Sequence, residues 1–402
     1  MAEQAGIGPV TCAGCGLLCD DVTLDVSGDA VRLTPECGLG AGWFTDHVRR
    51  SADTPPATID GEPAEIDAAL TRAAELLRGA RRPLVYGFDG ATVEDARAAV
   101  ALADRLGALV MTDALDAPWP GAPALPLRGA TTATLGEIRD RSRVVVIWRE
   151  DPETTHPRLL ERLGFAAGPS PHRTLVVIDD RDTPTTARAA LRLQWPRERD
   201  LEAVVTLHAR QRKLGPAPTS LDEPLSSLVG HIKDVPHLAF VYGPALTGGD
   251  GGQRRALALQ ELARSLSHER HVVTLALTPA AGTTGAQDAL AWQTGYAGNV
   301  DLADGHPQLG ATTLPTQDVD VALCVAGAGA PPTGAAGIAL CSGHPANGTG
   351  PAVAIRTATP GVEAAGTAHR LDGVPLTLQA PLPGDAPSAA ALLTRLLAEV
   401  GR

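Results

Sequence analysis

Aromatic side chains are scarce in this chain, at 3% of 402 residues, so its interior has to be packed from Leu, Val and Ala at close helix–sheet contacts. Long apolar runs are missing as well. No stretch of about 18 apolar residues occurs, which argues against a membrane-spanning helix. The first twenty residues contain no basic segment followed by an apolar one, so no signal peptide is expected. Positive charge is in deficit, with 34 Lys and Arg against 46 Asp and Glu for a net −12, which argues against a nucleic-acid or anionic-membrane surface. Hydrolytic signatures are also absent: there is no Gly-x-Ser-x-Gly elbow and no His-Glu-x-x-His helix, and the histidines are dispersed without ligand spacing. The chain therefore offers no independent hydrolase centre, and no catalytic residue is assigned. Apolar content is nevertheless 44%, and 402 residues suffice for two or three domains with sizeable cores.

What is present near the start is a quartet of cysteines, Cys12, Cys15, Cys19 and Cys37. Four thiolates brought together form the usual ligand set of a [4Fe–4S] cluster. Asp21 to Val26 alternates apolar and polar residues and predicts a strand. Ser27-Gly28-Asp29 predicts a turn, and Ala30 to Leu33 the returning strand. A hairpin brings its ends together, so Cys37 can return to the Cys12–Cys19 loop. Gly14 and Gly16 are expected to let that loop curl by adopting positive φ. Zinc is the competing metal, although structural zinc sites usually show two short cysteine knuckles and here the fourth cysteine stands alone. Four unliganded thiols are the third possibility. Cys324 and Cys341, in apolar strand-like segments, are expected to be buried thiols. Six cysteines used this way fit a reducing cytoplasm rather than a disulfide scaffold.

Behind the cysteine module (residues 1–50), Ser51 to Pro63 reads as a polar linker. Strands then alternate with amphipathic helices. Ile66 to Arg78 predicts a helix, Pro83 to Phe88 a strand, and Thr92 caps a helix running to about Leu106. Ala108 to Thr112, Arg143 to Trp148 and Thr174 to Asp179 are further strands, with a helix beginning near His156. This is the pattern of a parallel sheet with helices on both faces. It restarts after residues 215–221 with Leu238 to Tyr242, a helix from Gln253 to Leu266, and Val272 to Leu277. Asp318 to Ala326, Gly337 to Leu340 and Pro351 to Arg356 supply more strands, and Ser388 to Val400 a closing helix. The expected division is 1–50, a first α/β domain at 51–215, a second at 216–345, and a C-terminal segment at 346–402 that returns to the core. The turn Gly248-Gly249-Asp250-Gly251-Gly252 matches neither G-x-G-x-x-G nor a P-loop, and reads as a flexible strand-to-helix connection rather than a phosphate cradle.

An iron–sulfur hairpin followed by two Rossmann-like parallel-sheet domains resembles the layout of molybdopterin or tungstopterin oxidoreductases. Particular motifs narrow the resemblance to the B subunit of formylmethanofuran dehydrogenase. These are Cys12-Ala-Gly-Cys15-Gly-Leu-Leu-Cys19-Asp20-Asp21-Val22; Thr131 to Arg139 with Asp151-Pro152 and His156-Pro157-Arg158; and Gly285-Ala286 with Trp292-Gln293-Thr294-Gly295-Tyr296 and Val300-Asp301. A C-terminal signature follows in Gly361 to Thr367 and Arg370 to Leu376. Together they span nearly the whole chain.

Three departures matter as much. Members active in redox chemistry carry a cysteine or selenocysteine metal ligand followed by His-Gly-Pro. Here the corresponding stretch, Asp113 to Pro123, has neither cysteine nor histidine, and Trp119 or Pro120 stands near the ligand position. Leu277-Thr278-Pro279-Ala280 replaces a run containing arginine and histidine. Ala326 to Pro331 replaces a Gly-Ser-Asp-Pro-like turn that contacts the pterin nucleotide. Asp179-Asp180-Arg181 still looks like a nucleotide-contacting Asp-x-Arg, but the partner pattern around Pro196-Arg197-Glu198 has lost its glycine.

This pattern is similar to the B subunit of the bacterial formyltransferase/hydrolase complex of one-carbon metabolism. The resemblance implies a non-redox scaffold beside an amidohydrolase-type A subunit, a formyltransferase subunit and one further subunit. It implies a [4Fe–4S] cluster, with pterin-bound tungsten or molybdenum absent. The alternative is an active tungsten- or molybdenum-dependent subunit interconverting CO2 and formylmethanofuran. Among single residues, His156 reads as a cap-region histidine at a helix N-terminus, and Trp292 and Tyr296 as core or interface anchors. Arg370 and Asp372 read as a pair fixing a turn, and Glu363 as structural.

Overall fold

The computed structural model describes residues 6–28, 30–48, 55–112, 127–166, 172–212, 223–309, 318–327, 329–342, 350–382 and 384–401. The predicted stretch Asp113 to Pro123 and the boundary at 215–221 lie outside them. The chain forms two compact units, Met1–Pro118 with Ala280–Arg402, and Trp119–Pro279 between them in sequence. This differs from the tandem division at 215 and 345. Val144–Trp148 pairs with His237–Tyr242 across the first boundary. Strand–helix alternation specifies a parallel sheet but not which strands become neighbours, because parallel strands are joined by long crossovers that can hold an insertion.

In the Trp119–Pro279 unit a five-stranded, all-parallel sheet runs Leu191–Leu193, Thr174–Ile178, Val144–Trp148, His237–Tyr242, His271–Ala276. Every residue of Val144–Trp148 and of His237–Tyr242 is buried, as expected for strands covered on both faces. Chain order reverses between these two strands, which places a crevice at their carboxyl ends.

The other unit holds a nine-stranded sheet. Its parallel centre is Leu109–Met111, Pro83–Tyr86, Val321–Cys324, Ala336–Cys341, Val353–Arg356. Asn299–Asp301 and Gln308–Leu309 extend one side antiparallel, and Ala57–Ile59 with Glu62–Ala64 the other. The last two correct the expected linker: its second half is a hairpin. Asp60 (φ 49°) and Gly61 (φ 86°) form its left-handed two-residue turn, a sequence signal the linker reading overlooked.

The helices over this sheet follow from local sequence. In Ile66–Gly79 the buried residues Ala69, Leu70, Ala73, Ala74 and Leu77 form one face at helical spacing. Val93–Leu106 starts at a capping box between Thr92 and Asp95 and ends at Gly107 in the left-handed region (φ 62°). Asp95 also accepts from Ala390 N (2.7 Å), which ties in the Ala389–Val400 helix. Small side chains (Ala69, Ala73, Ala74, Ala96, Ala99, Ala103, Ala389) supply much of the contact, as the scarcity of aromatics requires. No helix among the described residues is long and apolar enough to cross a membrane.

Candidate metal centre

The strand Ile7–Val10 and the hairpin Val22–Ser27/Ala30–Thr34 form a small antiparallel sheet, and the helix Gly38–Val48 begins one residue after Cys37. The cysteine loop is closed by Cys12 N donating to Cys19 O (2.9 Å) and by Leu18 N donating to Cys15 O (3.2 Å). Its left-handed residue is Leu18 (φ 41°), whereas neither Gly14 nor Gly16 takes positive φ. Gly14 serves close approach instead. A Cβ there would stand 3.3 Å from Gly40 Cα and 3.5 Å from Cys12 Sγ.

Gly40 is the residue the sequence reading missed. A Cβ on it would fall 2.6 Å from Leu33 Cδ1, 3.0 Å from Cys12 Sγ and 3.7 Å from Cys37 Sγ. One point is thus close to two of the four sulfurs, and only glycine lets the helix approach them. Backbone N–H groups are aimed at the sulfurs too. Gly40 N reaches Cys37 Sγ at 3.5 Å, and the amides of Gly14 and Leu17 favour the thiolates of Cys12 and Cys15. Cys37 sits at the N-terminal end of an 11-residue helix, where negative charge is favoured.

Burial nevertheless pushes the Cys12 and Cys15 thiols up to about 12, and the neighbouring cysteines push the same way. Sulfurs crowded like this ionise when a cationic centre supplies the opposing charge. Among the described residues, however, no three His, Cys, Asp or Glu side chains meet closely enough to hold one ion.

The C-terminal segment fastens this loop. Leu371 N donates to Gly16 O (3.0 Å), Thr11 N to Gln379 Oε1 (2.8 Å) and Thr11 Oγ1 to Thr377 O (2.9 Å). Leu18, Ala281, Ala368 and Leu378 make a small apolar core beneath it. The hairpin Gly366–His369/Pro375–Leu378 is closed by the expected Arg370–Asp372 pair, bidentate at 2.7 and 2.8 Å. Glu363 is likewise structural, accepting from Thr359 N and pairing with Arg356.

Each parallel sheet has a crevice where strand order reverses, the usual ligand position in such folds. In the nine-stranded sheet it lies between Pro83–Tyr86 and Val321–Cys324. There Val325 N and Ala326 N donate to Tyr86 O (2.9 Å) and Gly87 O (2.8 Å), and Gly90 N donates to Ala326 O (3.2 Å). A Cβ on Gly327 would stand 3.0 Å from Gly87 Cα. Ala326 and Gly327 thus pack directly onto the loop at Gly87. Cys324 is buried and its thiol is pushed up to about 11 by that burial, whereas Cys341 is only half-buried, contrary to expectation.

In the five-stranded sheet the crevice holds Arg149, Glu150 and the Asp179-Asp180-Arg181 run. Arg149, 1% exposed, is bound by Asp200 (Nε–Oδ2 2.9 Å) and Asp180 (2.8 Å), with Asp179 at 3.6 Å. Trp148 Nε1 donates to the same Asp200 (2.9 Å). Burial would raise Asp179, but the hydrogen bonds and charge of Arg181, and the charge of Arg149, hold it low. Glu150 accepts from Ala245 N (2.7 Å) and Leu246 N (3.4 Å), where a Cβ on Gly243 would stand 3.1 Å from its Oε1. The chain's own carboxylate thus occupies this amide cradle.

The glycine-rich turn at 248–252 is pinned rather than flexible. Arg255 donates to Leu246 O (2.6 Å), Gly248 O (2.7 Å) and Asp250 O (3.0 Å). His156 caps the C-terminal end of the short helix Pro152–Thr155, and the next short helix, Leu159–Arg162, begins three residues later, as expected. It is buried, its Nε2 donates to Thr278 O (3.0 Å), and burial favours its neutral form. Tyr296 packs against the core, but Trp292 is 62% exposed with its ring edge near His369, so it is not a core anchor.

No family model matches the chain. It is 28% identical over 404 residues to the B subunit of the tungsten-containing formylmethanofuran dehydrogenase 2 of Methanocaldococcus jannaschii, and 27% identical over 408 residues to the protein of that name from Methanococcus maripaludis. Each alignment covers 92% of both chains. Among solved structures it is similar to a chain of the formyltransferase/hydrolase complex (FhcABCD) of Methylorubrum extorquens, crystallised with methylofuran. The TM-score is 0.70 at 25% identity, covering 86% of this chain and 98% of that one. Acetylene hydratase of Pelobacter acetylenicus shares the fold alone, with a TM-score of 0.55 at 13% identity, covering 98% of this chain and 69% of that one.

Proposed function

We propose that this chain, similar over 92% of its length to formylmethanofuran dehydrogenase B subunits, is the B-type component of a formyltransferase/hydrolase assembly in one-carbon metabolism, without redox catalysis of its own. Its role is to scaffold the amidohydrolase-type subunit, in company with a formyltransferase subunit and one further subunit, and Cys12, Cys15, Cys19 and Cys37 hold a [4Fe–4S] cluster. The observation that carries the proposal is the likeness to a chain of a hydrolase complex, which extends over 98% of that chain. Two further features support it. The stretch Asp113 to Pro123 has no cysteine or histidine where an active member needs its metal ligand. Ala326 is hydrogen-bonded to the loop at Gly87 and Gly90, and Glu150 accepts from Ala245 N beside Gly243.

A bound [4Fe–4S] cluster supplies a one-electron centre. What this chain would contribute is three thiolates on a loop and a fourth at the start of the Gly38–Val48 helix, a glycine-lined approach by that helix, and amide groups directed at the sulfurs.

A second reading is an active dehydrogenase subunit. The names of the two archaeal relatives, both tungsten-containing, favour it. Elemental analysis of the intact assembly for Fe, Zn, Mo and W separates the two, combined with formate release assayed with and without an electron acceptor. About four iron atoms per chain, no tungsten or molybdenum, and acceptor-independent formate release are expected. Stoichiometric tungsten or molybdenum would overturn the non-redox role, and zinc without iron would overturn the cluster.

A further inference from the structure

His237 opens the strand His237–Tyr242 of the five-stranded sheet, at the end remote from the Arg149 crevice. The residue is 5% exposed, and its ring meets groups from the helix Leu135–Arg141 and the strand His271–Ala276. His271 stands opposite it in register, and the two imidazoles stack with centroids 5.8 Å apart and planes 15° apart. Nδ1 lies 2.9 Å from the hydroxyl of Ser142, a buried residue at the C-terminal end of the helix. Nε2 has no hydrogen-bond partner among the described residues, yet Glu137 Oε1 of that helix stands 3.7 Å away. This carboxylate is held by Arg141 Nη1 at 3.2 Å. The other charged groups at this corner are engaged elsewhere. Arg173 donates to Ser142 O (2.9 Å) and Ile138 O (3.2 Å), and Arg143 to His172 O (3.4 Å). Asp140 pairs with Arg139 (2.8 Å) and Glu269 with Arg270 (3.0 Å).

Neither neutral form of this imidazole is satisfied. When Ser142 donates to Nδ1, Nε2 carries a proton that nothing accepts. When Nδ1 donates to Ser142, the bare Nε2 lone pair faces a carboxylate. Only the doubly protonated ring donates at both nitrogens at once. Burial opposes that cation, Glu137 favours it, and positive charge on His271 and Arg141 opposes it, so the ring takes a proton below the usual histidine range. We propose that Glu137, Arg141, His237 and His271 form an acid-sensitive switch in the Trp119–Pro279 unit: when His237 takes a proton from solvent, the Glu137 carboxylate passes from Arg141 to Nε2 and ties the helix Leu135–Arg141 directly to the strand. The switch stands independently of the function proposed above.

The four groups carry charges of different sign, so the proposal fixes the direction in which each neighbour moves the titration of His237. A histidine that only fills space would show no such pattern. The experiment is an NMR titration of the histidine rings of the full chain between about pH 4.5 and 8, with His237→Gln used to identify the resonance. The tested variants are Glu137→Gln, Arg141→Gln and His271→Phe, the last of which keeps a ring to stack on. All three side chains reach solvent, and thermal unfolding at about pH 8 checks that each variant is folded. Glu137→Gln should weaken proton binding at His237 about tenfold, a downward move of about one pH unit. Arg141→Gln and His271→Phe should each strengthen it, by about threefold to tenfold. An unchanged midpoint in folded Glu137→Gln, or a downward move in Arg141→Gln, would overturn the switch. So would a wild-type His237 that stays neutral until the chain unfolds.

Discussion

Glu150 offers the sharpest physical test of the five-stranded unit. Its carboxyl group is buried at the carboxyl end of Val144–Trp148, and burial raises its pKa from an ordinary 4.5 to about 7, despite two backbone N–H donors and the nearby Arg181 charge. Between these two values the folded chain holds a proton that the unfolded chain has released. The contribution of this group to stability is therefore fully present below 4.5 and is lost as pH rises through 7. The difference amounts to about 3 kcal/mol. Glu150→Gln keeps an oxygen to accept from Ala245 N and removes the titration, so it imitates the protonated acid at every pH. Urea unfolding of both proteins at pH 5 and pH 8 isolates the effect, because all other titrating groups cancel in the comparison. At pH 5 the variant should be more stable by under about 1 kcal/mol, and at pH 8 by about 3 kcal/mol. Parallel pH profiles, or a variant less stable at pH 8, would refute the claim that an ionisable carboxylate is confined there.

Arg149→Met strands the buried Asp200 carboxylate and should cost about 3–5 kcal/mol in urea unfolding; the double change with Asp200→Asn should recover part of that loss. Gly282→Ala places a methyl group against Phe88 O and Ala91 N, both backbone atoms that cannot swing aside, and should lower stability by about 3 kcal/mol in thermal unfolding.

Local features were legible in the sequence. The Val22–Ser27/Ala30–Thr34 hairpin, the Thr92 cap and the buried strands Val144–Trp148 and Thr174–Ile178 follow from alternation, capping chemistry and apolar runs within a few residues. The Ala57–Ala64 hairpin was missed although Asp60-Gly61 advertises it, because the surrounding Pro and polar residues resemble a linker. His156 is a cap residue as read, but at the C-terminal end of Pro152–Thr155: Thr154 and Thr155 look like N-capping residues, whereas their hydroxyls bond Asp151.

The cysteine spacing alone singled out Cys12, Cys15, Cys19 and Cys37 as candidate ligands, because donor chemistry is a property of side chains and not of their arrangement. The missing cysteine and histidine in Asp113 to Pro123 were equally plain, as was the deficit of positive charge. Only the tertiary structure decided what stands beside those ligands. Gly40 matters because a helix passes within a methyl's breadth of two sulfurs, and Leu371 because it docks a hairpin from the far end of the chain on the loop at Gly16. It also decided that strands on either side of residue 215 share a sheet. Pairing of parallel strands and docking of distant segments depend on long-range packing, which no local periodicity encodes.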